Sequence, residues 1–337
     1  MIIFTICGSN YLPKAITLGK SVKQHIIDAK FTICLLEKEA DPVSGKTWVA
    51  DETLLAKEIG YPNFERFIFR HTIVEASTAI KAQLFKHLLQ RYPDEDKFVY
   101  LDPDIVVYSD FTELKVELEK HSIILCPHLL EPGNIDMEVS SLQHGAYNLG
   151  FLAVTRSRET TKFLDWWAER LFWYCYEDIP NGIFTDQKWI DLAPCFFYVH
   201  IFKHRGYDFA TWSLMNSNFK KNGENYIVNG DPLRFIHFSG YDSGTVKWAI
   251  EKWLPNKENN PFIDVYHDYE RALIDNGQNQ LGKIPWSYDY YDSGEKISMP
   301  IRLIFRNNHE IQFGVENPFT YGNKYFEEMN DKSLKKT

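Results

Sequence analysis

Over its first hundred residues the chain alternates apolar runs with helix-patterned stretches, and this alternation constrains its fold more than any other feature. Ile2–Cys7 reads as a strand, Pro13–His25 as a helix and Phe31–Leu36 as a second strand. A charged helical segment follows near Asp51–Ile59, then a strand at Phe67–Phe69. Next come a helix from Thr78 to Arg91 and a strand that ends at Asp102. Strands joined through helices favour a mostly parallel sheet covered by helices, with ligands at the carboxyl ends of the strands. The expected class is α/β.

Later segments are less regular. Ser122–Cys126 and Leu149–Thr155 read as strands, and Arg158–Tyr176 as a long aromatic helix. Its rings suit packing on a sheet, and some are candidates for an acceptor pocket. Tyr226–Val228 and Leu233–Phe238 read as strands beside the turn sequences Asn222-Gly223 and Asn229-Gly230-Asp231-Pro232. Residues 255–261, bounded by Pro255 and Pro261, read as a linker, and Val265–Asp275 and Pro300–Asn307 as helices. We therefore expect one domain over 1–254 and a helical C-terminal extension over 255–337. Within the extension, Tyr288–Gly294 reads as an aromatic loop over a pocket or partner surface, and Lys332–Lys336 as a frayed basic tail.

Composition narrows the function classes. Hydrophobic residues at 44% and aromatics at 15% allow a sizeable core. A formal net charge of −9 argues against a general nucleic-acid binder, which needs a basic surface for phosphates. No apolar run approaches a membrane span. Met1–Cys7 lacks a charged n-region and reads as a strand rather than a signal peptide. The five cysteines form no C-x-x-C pair, and Cys7, Cys34 and Cys126 lie in apolar runs that suit buried thiols. The expected setting is cytoplasmic and reduced, with docking at the inner face of the membrane left open.

The strand Phe98–Leu101 runs into Asp102-Pro103-Asp104. Side chains alternate along an extended chain, so the two carboxylates are expected on one side. Acids so placed repel unless a cation lies between them, and a divalent metal is the usual one. A structural turn is the alternative. Asp94-Glu95-Asp96 has the same spacing but lies in a polar turn and reads as a solvated loop. Gly45-Lys46-Thr47 resembles the end of a phosphate-binding loop, yet Ala40 stands where its first glycine belongs, and no G-x-G-x-x-G occurs. The acid pair also fits the aspartate-nucleophile motif of haloacid-dehalogenase-like phosphatases. That motif normally follows the first core strand, whereas three strands precede it here, and no convincing later acid pair completes it.

Further segments occur in a telling order: Asn10-Tyr11 after the first strand, Lys81 at a helix start, and His144–Phe151, which contains Asn148 and Gly150. Thr185-Asp186-Gln187-Lys188 and His237-Phe238-Ser239-Gly240, with Lys247 behind it, complete the set. With the acid pair, these segments resemble the GT-A glycosyltransferases over roughly residues 1–250, in particular the family-8-like retaining galactosyl- and glucosyltransferases. The resemblance implies that Asn10 and Tyr11 hold a nucleotide base and that Lys81 reaches its diphosphate. It implies Mn²⁺, or Mg²⁺, on Asp102, Asp104 and His237, with Gly240 and Lys247 continuing the phosphate-binding segment. Asn148 and Gly150 would line the donor sugar, Asp186 would bind its hydroxyls, and Gln187 would lie under the anomeric carbon. Two departures stand out: Gly8-Ser9 where the family often has a carboxylate, and Lys188 where it has a second acid.

The expected activity is transfer of a sugar from a nucleotide-sugar donor, UDP-linked by preference, to a hydroxyl of a glycan or lipid-linked acceptor. Partner transferases or a membrane surface are further expected contacts. The rivals are the phosphatase, with Asp102 as nucleophile, and a non-catalytic carbohydrate-binding relative.

Overall fold

The computed structural model describes residues 1–334. In chain order the first strands are β1 (Ile2–Cys7), β2 (Lys30–Leu35), β3 (Glu52–Leu55), β4 (Lys97–Leu101), β5 (Ile105–Val107), β6 (Ile123–Pro127) and β7 (Tyr147–Thr155). They are followed by the hairpin β8 (Glu177–Asp178) and β9 (Ile183–Phe184), then β10 (His200–Ile201). A meander of β11 (Phe219–Asn222), β12 (Asn225–Val228) and β13 (Asp231–Pro232) precedes β14 (Phe235–His237). The helices before residue 200 are α1 (Leu12–His25), α2 (Phe64–Phe69), α3 (Ile73–Ala79), α4 (Lys81–Arg91), α5 (Thr112–Glu117), α6 (Ile135–His144), α7 (Arg158–Tyr174) and α8 (Ala193–Phe196). Those after it are α9 (Thr245–Trp253), α10 (Phe262–Asp275), α11 (Gln278–Leu281), α12 (Met299–Asn307), α13 (His309–Gly314) and α14 (Asn323–Leu334).

Seven strands form the central sheet in the order β10-β6-β7-β4-β1-β2-β3. All neighbours are parallel except those of β7, which runs antiparallel to β4 and β6. The sheet is therefore mostly parallel, as expected of the α/β class. Alternation along β1 sends Ile2, Phe4 and Ile6 into one core and Ile3 and Cys7 into the other. Both faces are thus buried, which explains why β1 reads as a continuous apolar run. Cys7, Cys34 and Cys126 are buried, as expected.

Four local expectations need correction. Asp51–Ile59 is not helical: β3 pairs with Thr32–Leu35 and is followed by a single helical turn. The Asp51 carboxylate accepts from the Phe31 backbone N–H and anchors the start of this edge strand. Phe67–Phe69 is not a strand but the end of α2, whose Phe64, Phe67 and Ile68 share a buried face at helical spacing. The helix expected from Thr78 is two helices, because Thr72 and Glu75 form a capping box that starts α3 early and the chain breaks at Ile80. Asp102 and Asp104 lie not in a strand but in the turn between β4 and β5, where Pro103 cannot donate to a ladder.

Residues beyond 255 share cores with residues before it. Trp286, Tyr288, Tyr291, Phe305 and Phe326 belong to the cluster that holds Phe4 and Phe85. The aromatic loop Tyr288–Gly294 buries Tyr288 and Tyr291 in that core. Arg302 is buried and donates to the carbonyls of Phe69 and Tyr288, and Arg306 pairs with Glu75 at 2.7 Å. On another side, α10 packs Tyr269 flat against Phe238, with ring centroids 3.9 Å apart. Of the basic tail, residues 335–337 lie outside the described residues.

Candidate active site

The acid turn and a histidine are brought together by a strand pair that sequence spacing cannot show. β5 leaves the turn and pairs antiparallel with β14, placing His237 opposite Ile105. Phe238 then donates to the Asp104 carbonyl at 2.9 Å, and Asp102 donates its own N–H to the Gly150 carbonyl at 2.8 Å. His237 Nε2 lies 3.2 Å from Asp104 Oδ1 and 3.7 Å from Asp102 Oδ2. One ligand atom from each of the three residues falls within 4.8 Å of the others.

Gly150 makes this approach possible, since a Cβ there would lie 2.3 Å from His237 Cε1. The far side of the ring is held as well: Nδ1 lies 3.1 Å from Asn148 Oδ1 and 3.4 Å from Asp208 Oδ1. A carboxylate behind an imidazole that faces two more carboxylates is the arrangement that orients metal-ligating histidines. Burial would lower the pKa of His237, but Asp104, Asp208 and Asp102 outweigh it and push it up to about 10. Burial would likewise raise Asp104, yet His237 and Lys14 hold its carboxyl below the usual range. Asp208 goes the other way. Burial raises it to about 6 despite His237.

Lys81 begins α4 and is 2% exposed. Its ammonium lies 3.0 Å from Asp186 Oδ2 and 3.6 Å from Asp102 Oδ1, and donates to the Leu149 carbonyl at 2.8 Å. Burial alone would lower its pKa; the two carboxylates outweigh that and raise it. Asp186 is raised by burial, only partly offset by Lys81. The Gln187 amide is fixed at both ends, accepting from Leu149 N–H at 3.1 Å and donating to the His144 carbonyl at 2.9 Å. The chain before it passes through Thr185 at φ +44°, a left-handed conformation for a β-branched residue. His128 is half-buried, and desolvation lowers its pKa to about 4, so the ring is neutral at pH 7. The hydrogen-bond network assigns its Nδ1–H to the Gly145 carbonyl and leaves Nε2 to accept from Asn148.

A cavity of about 640 Å³ opens here, lined by Lys81, Asp102, Asn148, Gly150, Asp186, Gln187 and His237. Met137, Ser140 and Ser141 of α6, with Trp212, Trp248, Lys252 and Trp253, complete much of its lining. No ring of α7 lines it. Asn10, Tyr11, Asp104, Gly240 and Lys247 do not line it either. Tyr11 instead donates to Asp242 at 2.5 Å, and Gly240 turns the chain at φ +77° where a Cβ would press on Thr245. Lys247 is exposed on α9, and Lys252, five residues on, reaches the cavity.

Sequence reasoning missed Asp208, His128, Trp212, Lys252 and Asp242. Asp208 follows Gly206-Tyr207 in no recognisable motif, and only its φ of +51° in the folded chain marks it out. The spacing of Trp248, Lys252 and Trp253 on one helix was a usable signal. A second group, Glu117, His121 and His200, lies away from the cavity. Its imidazoles stack within 6° of parallel at 4.2 Å, so their lone pairs run side by side rather than toward one point.

Residues 2–243 match the sequence model of glycosyl transferase family 8. The chain is similar to two uncharacterized proteins of Bacillus subtilis strain 168. It is 23% identical to YfnD over 247 residues, covering 72% of this chain and 78% of YfnD. It is 25% identical to YfnF over 282 residues, covering 81% and 93%. Among solved structures it is similar to the galactosyltransferase LgtC in complex with donor and acceptor sugar analogs, at 15% identity and a TM-score of 0.45, covering 82% of this chain and 96% of LgtC. It is also similar to the glycosyltransferase GlyE of Streptococcus pneumoniae, at 14% identity and a TM-score of 0.44, covering 86% and 66%.

Proposed function

The chain belongs to glycosyl transferase family 8 and is a glycosyltransferase, and on that premise we propose a metal-dependent, retaining transfer from a nucleoside-diphosphate sugar to a hydroxyl. UDP is the favoured nucleotide, and a glycan or lipid-linked sugar the favoured acceptor. The observation that carries this reading is the convergence of Asp102, Asp104 and His237 on one another, with Asp102 and His237 lining the cavity that Lys81, Asp186 and Gln187 also line.

The residues fit a divalent cation. Asp102, Asp104, Asp186 and Asp208 crowd one region, with Lys81 and His237 as the cations in contact with them. Asp102, Asp104 and His237 would hold the metal, and two carboxylates with one imidazole suit Mn²⁺ better than the all-oxygen preference of Mg²⁺. Bound there, the ion would supply positive charge to the diphosphate leaving group as the glycosidic bond breaks.

The chain's own groups divide the rest of the work. Lys81, fixed by two carboxylates, brings a second positive charge to the diphosphate. Asn148 and Gly150 line the donor sugar, Asp186 accepts from its hydroxyls, and Asn10 and Tyr11 hold the base. Gln187 presents an amide that its two hydrogen bonds prevent from rotating. A base beside the acceptor would have to be a free carboxylate, and Asp186 is paired with Lys81 and 2% exposed. On the retaining reading the leaving phosphate oxygen takes the acceptor proton, while the bond from C1 to that phosphate breaks and the bond from C1 to the acceptor oxygen forms on the same face. NMR of the first-formed product from an α-linked UDP-sugar tests this: an α product supports the reading, and a β product removes retention from it.

The phosphatase alternative has lost its ground, since the family match places the acid pair within a glycosyltransferase domain and His237 faces both acids. No helix among the described residues is long and apolar enough to cross a membrane. A lipid-linked acceptor would be met at a membrane surface, and a partner transferase could supply or extend it.

A further inference from the structure

We infer that Lys14 is a phosphate-binding residue of the donor site and that Asp242 is an internal stand-in for the phosphate. This rests on the nucleotide-sugar reading above. Lys14 lies in the first turn of α1 and is 1% exposed. Its ammonium sits 2.5 Å from Asp242 Oδ2, 3.8 Å over the Tyr11 ring and 5.8 Å from the centre of the Tyr241 ring. Asp242 also accepts the Tyr11 hydroxyl at 2.5 Å.

A buried ammonium needs an anion, because leaving it unpaired is far costlier than pairing it. Its partner is of a different kind. Asp242 is 43% exposed and belongs to a three-residue loop bounded by Gly240 and Gly244, both at positive φ. The cation is fixed and the anion lies on a loop with a glycine at each end, so the anion is the exchangeable member.

The place of this pair gives the exchange its meaning. Lys14 covers one face of Tyr11, and the cavity stops short of Tyr11 while Asp242 is attached to it. The same ammonium is near enough to Asp104 to lower its carboxyl. A nucleoside diphosphate that binds Lys14 takes the place of Asp242 and brings the replacement anion with it. Lys247, the lysine that the resemblance assigns to phosphate, is exposed on α9. Lys14 is the buried cation against Tyr11 that can take that part.

Isothermal titration with Mn²⁺ tests the exchange, using UDP and uridine against wild type, Asp242→Asn and Lys14→Met. A latch shut about nine-tenths of the time lowers apparent affinity about tenfold. Asp242→Asn should therefore bind UDP about tenfold more tightly with uridine unchanged, and Lys14→Met should lose a similar factor for UDP alone. Asp242→Ala serves as a second variant, since its lower melting temperature without ligand should be recovered by UDP. Weaker or unchanged UDP binding in Asp242→Asn overturns the inference, as does unchanged UDP binding in Lys14→Met. An equal gain for uridine overturns it too, because Asp242 would then obstruct the base. Failure of wild type to bind UDP, GDP, dTDP or CDP with Mn²⁺ would instead overturn the nucleotide-sugar reading and the inference with it.

Discussion

Replacing Gly150 by alanine would put a methyl group 2.3 Å from Cε1 and 2.7 Å from Nδ1 of His237, and 2.8 Å from Asn148 Oδ1. Carbon atoms in ordinary contact lie about 3.5 Å or more apart, so the ring or the strand must yield by about 1 Å. The ring has little freedom to do so. Trp212 packs edge-on against it at 5.8 Å between centroids, and Asn148 and Asp208 hold Nδ1 from behind. Metal–ligand distances tolerate only about 0.2 Å. The expected result is a loss of Mn²⁺ affinity of about tenfold or more, and of transfer rate by about a hundredfold, the usual scale for a misplacement of about 1 Å. Mn²⁺ titration followed by paramagnetic resonance, with a sugar-transfer assay and a thermal melt on the same preparation, reads all three quantities. A folded Gly150→Ala protein with wild-type Mn²⁺ affinity would refute the claim that close approach at Gly150 seats a histidine ligand.

Lys81→Met would leave Asp186 and Asp102 without their shared cation; stability at pH 7 should fall by about 3 kcal/mol or more. The loss should be smaller at pH 5, because burial already raises the Asp186 carboxyl and protonation then removes its charge; denaturant titrations at both pH values check this. Burial opposes protonation of His237, but its carboxylates hold its pKa at about 10 without metal, so a proton must leave before the ring can bind. Mn²⁺ affinity should rise by about tenfold per pH unit from pH 7 to 9, and a flat calorimetric profile would remove His237 from the ligand set. Phe305→Ala, at a fully buried ring 4.9 Å from that of Phe69, should cost about 3–5 kcal/mol in urea unfolding. A cost under about 1 kcal/mol would mean that α12 does not share the main core.

The strand core was legible because β1, β4 and β7 are buried on both faces and so read as plain apolar runs. α2 and β3 were misread for a related reason: a short apolar run such as Phe67-Ile68-Phe69 suits either element, and a charged edge strand has no apolar stripe to declare it. Asp102, Lys81, Asp186, Gln187 and His237 could be picked out in short segments, and the structure brings them to one cavity, with Asp104 against His237. Their joining depends on the β5–β14 ladder, a pairing across more than a hundred residues that leaves no local signal. Asp208 and Asp242 were out of reach for the same reason, since each matters through a partner far away in the chain. Lys247 shows the converse, a residue with the right offset whose helix carries it outward.

Calorimetric titration of UDP into the wild-type protein, with Mn²⁺ and again with EDTA, tests the central claim most directly when repeated on Asp104→Asn and His237→Gln. The account predicts binding that needs the metal and that both substitutions abolish. Binding that survives EDTA and both substitutions would contradict it.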